Sequence, residues 1–241
     1  MKKTLSILAL TAGLSMTASA ATTLLDQSIA GYSDFSSHTA DFGTQKDAVS
    51  ITTSGNNLLL SGTGVQFNQT ISTSTHGTRG TMTVSMVLDL SKLNSPANFT
   101  SLFNAKGGGT SWGAGLNADR TLQGLWNNGA YSGGPTTTAL GTEGTLTISV
   151  VTGEEGTTIY FGNSSTKVNN SGLKFGGANI TEIFLDSGMA DAIEQLYVHN
   201  SALSQEQVGQ LMAEIASVPE PATATLSLLG LAALMMRRRR V

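Results

Sequence analysis

The clearest regularity in the chain is a period of two. Residues 81–90 set Met82, Val84, Met86 and Leu88 against Thr81, Thr83, Ser85 and Val87, which predicts a strand buried on one face and solvated on the other. Leu146, Ile148 and Val150 repeat the pattern between threonine and serine. Shorter apolar runs at 49–53, 58–61, 65–72, 99–105, 111–118, 121–126, 157–161, 180–185 and 192–198 read as further strands, because clusters of Gly, Asn, Ser and Thr separate them. In the run at 65–72, Val65, Phe67 and Ile71 fall on odd positions and are expected to face one core. Ser54-Gly55-Asn56-Asn57 and Asn117-Ala118-Asp119-Arg120 read as hairpin turns. Residues 91–98 and 127–144 read as loops, and 163–170 as a polar excursion. Roughly a dozen strands exceed the seven to nine of immunoglobulin-type sandwiches, so the expectation is an all-β, two-sheet jelly-roll sandwich.

Only one helix stands out. Ser204-Gln205-Glu206-Gln207 is a capping box, and Val208, Leu211, Met212 and Ile215 then share one face at helical spacing. A helix this short must dock to persist.

The ends of the chain follow a different logic. Lys2 and Lys3 precede the apolar run 5–14, and Ala18-Ser19-Ala20 supplies the small residues a signal peptidase accepts. Residues 1–20 are therefore expected to be a signal peptide cut after Ala20. At the other end Pro219-Glu220-Pro221 cannot be helical, residues 222–236 carry no charge, and Arg237, Arg238, Arg239 and Arg240 follow. Fifteen helical residues reach about 22 Å against a bilayer core of roughly 30 Å, a mismatch that snorkelling arginines and local thinning absorb. Arginines flanking a membrane segment stay cytoplasmic, which places the preceding residues outside. The tail 218–241 resembles the sorting tail of the PEP-CTERM family in its triplet, apolar segment and arginine stop, in that order. The resemblance implies an exosortase-type partner that cuts near the triplet. Residues expected at the cell surface or in the medium are then 21–217, one domain.

Removing the ends changes the charge balance. The body holds seven Lys and Arg against fifteen Asp and Glu, a net of −8, so a nucleic-acid partner is not expected. There is no cysteine, and stability outside the cytoplasm is left to the core.

Residues 193–208, Ile-Glu-Gln-Leu-Tyr-Val-His-Asn-Ser-Ala-Leu-Ser-Gln-Glu-Gln-Val, resemble the last strand and following helix of laminin-G-like, concanavalin-A-like jelly rolls. Residues 57–67 and 111–126 are similar to that family's early strand pair and central hairpin. Residues 146–161 are similar to a pair that usually begins with tryptophan and ends in an Asp-Gly turn, where this chain has Gly162-Asn163. The resemblance implies the fold, and its members include lectins, adhesion modules, calcium binders and hydrolases.

Candidate chemistry is sparse. Gly109-Thr110-Ser111-Trp112-Gly113 matches the nucleophile-elbow string, with His38, His76 and His199 available as bases, but an elbow needs a strand before the serine and a helix after it. A glycine loop and a strand-like run stand there instead. Glu182 and Asp186 share a strand face about 13 Å apart along the backbone, beyond the 5–9.5 Å of paired glycosidase carboxyls. Adjacent Glu154 and Glu155 read as turn charges. Asp186 and Asp191, flanking Ser187-Gly188-Met189-Ala190, are the candidate calcium pair, with an ordinary polar loop as the competing reading. No other cofactor is expected, and no histidine spacing suggests zinc.

For sugar binding, the parity of Trp112 and Trp126 with apolar neighbours points both to the core. Tyr131, with Asn127 and Asn128 in the same Gly-rich loop, is the candidate ligand-binding set. The expectation is an exported, non-enzymatic binding module for a polysaccharide or surface component. The alternatives are a matrix component without a ligand site and a carbohydrate-active hydrolase. An exposed aromatic strip with amides, a featureless polar surface, or a pocket holding carboxylates from different strands distinguishes the three in that order.

Overall fold

The computed structural model describes residues 22–55, 57–74, 77–108, 110–126, 129–130, 134–170 and 179–218. The signal segment and Ala18 and Ala20, the candidate loop residues Asn127, Asn128 and Tyr131, His76, and the tail from Pro219 to Arg240 lie outside them. Among the described residues no helix is long and apolar enough to cross a membrane.

In chain order the elements are α1 (Leu24–Gln27), β1 (Ala30–Tyr32), β2 (Ser50–Ser54), β3 (Asn57–Ser61), β4 (Gln69–Thr73), β5 (Gly77–Asp89) and β6 (Phe99–Gly107). There follow β7 (Thr110–Asn117), β8 (Leu122–Trp126), β9 (Gly129–Ala130), β10 (Thr145–Gly153), β11 (Gly156–Phe161), β12 (Ser164–Asn170), β13 (Glu182–Leu185), α2 (Ser187–Ala190), β14 (Ile193–His199) and α3 (Gln205–Ser217). They build two antiparallel sheets. One runs β1-β14-β5-β10-β11-β12 with β4 also on β5, and the other β2-β3-β13-β6-β7-β8-β9. Residues far apart in sequence thus become neighbours: Ile148 and Leu196 both pair with Met86 of β5.

The main core lies between the sheets. Met82, Val84, Met86 and Leu88 of the first meet Leu60, Phe103, Trp112, Ala114 and Ile183 of the second, as the period-two pattern requires. Trp112 is buried as expected, packs edge-on against Phe103 at 5.4 Å, and donates its indole N–H to Thr157 Oγ1 at 2.9 Å. Gly113 allows the close approach of strands, since a Cβ there would meet the Phe103 carbonyl oxygen.

Several expectations are corrected. β5 is buried on both faces, not one. Its second face carries Val87 into a smaller cluster with Leu24 and Leu25 of α1 and Val208, Leu211 and Ile215 of α3, so helix and N-terminal segment cover what read as a solvated side. The run 65–72 is a strand only from Gln69; Val65 and Phe67 are buried, but the Phe67 N–H bonds the Ile180 carbonyl outside any ladder. The polar stretch after Asn163 is β12, an edge strand on β11, whose polarity suits an edge. Among the described residues the expected helix, α3, is joined by two more, α1 and α2. α3 has its capping box complete, with Gln207 N–H to Ser204 Oγ at 3.2 Å and Ser204 N–H to Gln207 Oε1 at 2.9 Å. α1 and α2 are single turns below the length that periodicity reveals.

Candidate functional site

A cleft of about 530 Å³ opens where the segment after β1, the turn after β5 and the junction of α2 with β14 converge. Local chemistry shapes each wall. Asp34 caps a short 3-10 turn, Phe35–Ser37, by accepting from the Ser36 N–H at 3.0 Å and its hydroxyl at 2.6 Å. That turn drives Phe35 into the core while Asp34 and Ser36 remain at the rim. His38 ends it in the left-handed region, φ 60°. Such backbone strain costs roughly 1–3 kcal/mol and concentrates at ligand sites. Arg120 also has positive φ, but its guanidinium is a structural clamp. It donates to the carbonyls of Leu90, Leu93, Leu140 and Gly141, fixing the turn that carries Lys92.

The third wall depends on a register shift. β14 pairs with β5 in one register at Ile193 and another from Gln195, a bulge that leaves Glu194 as the extra residue. Freed from the ladder, Glu194 reaches 3.9 Å from Lys92 Nζ, which is also 3.1 Å from Asp89. Hydrogen bonds from the Ser91 hydroxyl and then Lys92 hold the Asp89 carboxyl down at about 2. Asp89, with Glu194 and Asp191, raises the Lys92 ammonium above its ordinary value. Inside this charged rim lies an apolar floor of Phe35, Leu58, Ala190 and Ile193. The cleft therefore offers carboxylates, hydroxyls and an imidazole around carbon surface. That combination suits a polyol, whose hydroxyls donate to carboxylates and whose C–H face needs an apolar bed.

The sequence-derived candidates are scattered. Asp191 lines the cleft, but Asp186 does not share a calcium loop with it: the intervening residues are α2, with the Asp186 carboxylate accepting from the Gly188 N–H at 2.9 Å as its N-cap. The Asp186 carbonyl is taken by the N–H groups of Met189 and Ala190. Among the described residues no group of three His, Cys, Asp or Glu is placed for a metal. Glu182 lies on β13 while Asp186 falls beyond its end, so they share no strand face. Glu154 and Glu155 occupy the exposed turn into β11, as expected. Ser111 is buried within β7, paired with Lys106, and is not at a strand-to-helix elbow. His199 is buried on β14 with Nε2 2.9 Å from the Leu24 carbonyl, whereas His38 is at the cleft. The expectation for the Trp126 side chain lies outside the described residues.

Sequence reasoning missed Asp34, Lys92 and Glu194, and named His38 only as a possible base for Ser111. Asp34-Phe35-Ser36 carries a local signal, the Asx-type cap. The others are joined only by strand pairing across more than a hundred residues.

No family model and no curated protein matches the sequence. Among solved structures the chain is similar to a mutant of Trypanosoma rangeli sialidase displaying trans-sialidase activity, at 11% identity and TM-score 0.43, over 71% of this chain and 30% of that one. It is also similar to the binding domain of botulinum neurotoxin serotype D, at 11% identity and TM-score 0.43, over 68% of this chain and 41% of that one. The chain thus spans less than half the length of these structures. Neither likeness assigns a ligand or a reaction to it.

Proposed function

We propose that the chain is an exported, surface-sorted binding module of the laminin-G-like jelly-roll class that recognises a polysaccharide through the cleft at Asp34, His38, Lys92 and Glu194. The observation that carries this reading is the cleft itself: polar groups from three separate segments ring an apolar floor in about 530 Å³, within the range of pockets that enclose small ligands. A featureless packing surface, as a matrix filler would have, does not need such a concavity. The carboxylates and the net charge of −8 in the body favour neutral or amine-bearing sugars over sulfated or uronate ones, which they repel. The signal peptidase and exosortase-type partners, the membrane segment 222–236 and the Tyr131, Asn127 and Asn128 loop set belong to the same proposal.

A second reading has one observation in its favour. Asp34, Asp191 and Glu194 come to one cleft from different elements, as the two carboxylates of a glycoside hydrolase do. The full chain incubated with a panel of insoluble and soluble polysaccharides separates the readings. Retention on a neutral or amino-sugar polymer without new reducing ends is the expected result. Release of reducing ends that stops in Glu194→Gln makes the protein a hydrolase, and retention on no polymer refutes both.

A further inference from the structure

The outer side of the first sheet carries a separate groove of about 220 Å³, between the β11–β12 hairpin and α3. Its lining has no ionisable carboxylate, amine or imidazole. Tyr160 and Met212 lie half-buried, each packed on one side against the smaller hydrophobic cluster and facing the groove with the other. The amides of Asn163 and Gln205 and the hydroxyls of Ser164 and Ser165 complete the lining. None of these four side chains makes a hydrogen bond within the described residues. Asn163 is held at the tip of a two-residue turn whose first residue, Gly162, has φ 53°.

The helix contributes the decisive feature. Gly209 sits five residues into α3, in the groove wall, where glycine is the weakest helix former after proline. Its φ is not left-handed, and a Cβ built there meets nothing within 4 Å. Neither backbone conformation nor packing calls for glycine at this point. What the missing side chain leaves is open space in the groove that Tyr160 and Met212 also line.

We infer that this groove is a second carbohydrate subsite, which takes a single uncharged pyranose residue with its C–H face on Tyr160 and Met212 and its hydroxyls on Asn163, Gln205 and Ser165. A volume below that of drug-sized pockets limits it to about one ring. An uncharged lining selects against sugars bearing carboxylate, sulfate or ammonium, whose desolvation it does not compensate. A ring of the tyrosine type, flanked by amides, presents the apolar face and the paired donors and acceptors that a pyranose matches. The subsite stands independently of the acidic cleft, and with it the module would engage a polymer at two points.

The test is a titration of the full chain with neutral tetrasaccharides of glucose, mannose and galactose, followed by the Met212 methyl resonance, which the Met212→Leu variant identifies. The expected result is a saturable shift of that methyl with at least one neutral tetrasaccharide and none with a uronate oligomer. Gly209→Gln fills the groove and improves the helix, so its melting temperature holds or rises while binding weakens at least tenfold; Tyr160→Ala weakens it similarly. A Met212 methyl that stays fixed under every neutral sugar, or Gly209→Gln that binds like the wild type, overturns the proposal. So does a sugar lost in Glu194→Gln and kept in Gly209→Gln, which assigns binding to the cleft instead.

Discussion

His199 is neutral where it stands. Burial pushes its pKa below the ordinary 6.5, against the opposing pull of the Leu24 carbonyl and the Glu214 carboxylate, and its buried Nδ1 has no hydrogen-bond partner among the described residues. Glu214 also accepts the Leu25 N–H at 3.1 Å, so strand, α1 and α3 meet at this ring. Because the folded pKa lies below the unfolded one, the contribution to stability is fully present above pH 6.5. It is lost as pH falls from there through the folded value. The melting temperature is expected to decline between pH 7 and pH 5, and His199→Gln, which keeps a donor toward the Leu24 carbonyl, is expected to flatten that decline. An unchanged slope in the variant would remove His199 as its source. Nothing in Tyr-Val-His-Asn announces this role, since the ring's surroundings come from residues 24 and 214. The burial of Trp112, by contrast, follows from parity with Ala114 and Leu116 in its own strand.

Among elements, β5 shows where periodicity is informative and where it misleads. The alternation correctly separates the residues that meet the second sheet, but the opposite row of threonine and serine reads as solvated and is buried. These side chains are small, and each hydroxyl is satisfied. Thr83 Oγ1 donates to the Ser201 carbonyl at 2.8 Å and accepts the Leu203 N–H at 3.1 Å, and Ser85 lies 2.7 Å from Ser149. Buried hydroxyls with partners look the same in sequence as exposed ones; what separates them from a true outer face is the lack of charge from Thr81 to Leu88. Thr83→Val keeps the shape and strands two buried backbone groups, so it is expected to cost about 1–3 kcal/mol. For a body near two hundred residues that is a fall of about 2–12 °C, read by thermal unfolding; no change would mean water satisfies the freed groups. The capping box of α3 was legible because its signal lies within four residues. β12, α1 and α2 were not, since an edge strand of polar residues and single helical turns carry no period.

At the scale of the molecule, the arrangement that matters is convergence. The two-sheet architecture followed from strand count and turn spacing. The cleft did not, because its walls are joined by the pairing of β14 with β1 and β5 and by the bulge at Glu194. Sequence order places Asp34 and Glu194 at opposite ends of the domain, and only the sheet makes them neighbours. Acidic character was readable from the charge count, and it bears on which ligands are repelled more than on which is held. The sorting role proposed for the arginines at 237–240 and the Pro219-Glu220-Pro221 triplet concerns destination and is separate from the chemistry of the cleft.

The most direct measurement is the affinity of the full chain for the best-retained neutral or amino-sugar polymer, compared between wild type and the Asp34→Asn, Glu194→Gln double variant at equal melting temperature. Saturable binding that weakens at least tenfold in the variant is expected, since charge-assisted bonds to two carboxylates contribute about 1.5–3 kcal/mol each. Equal affinity in both proteins would contradict the assignment of the cleft.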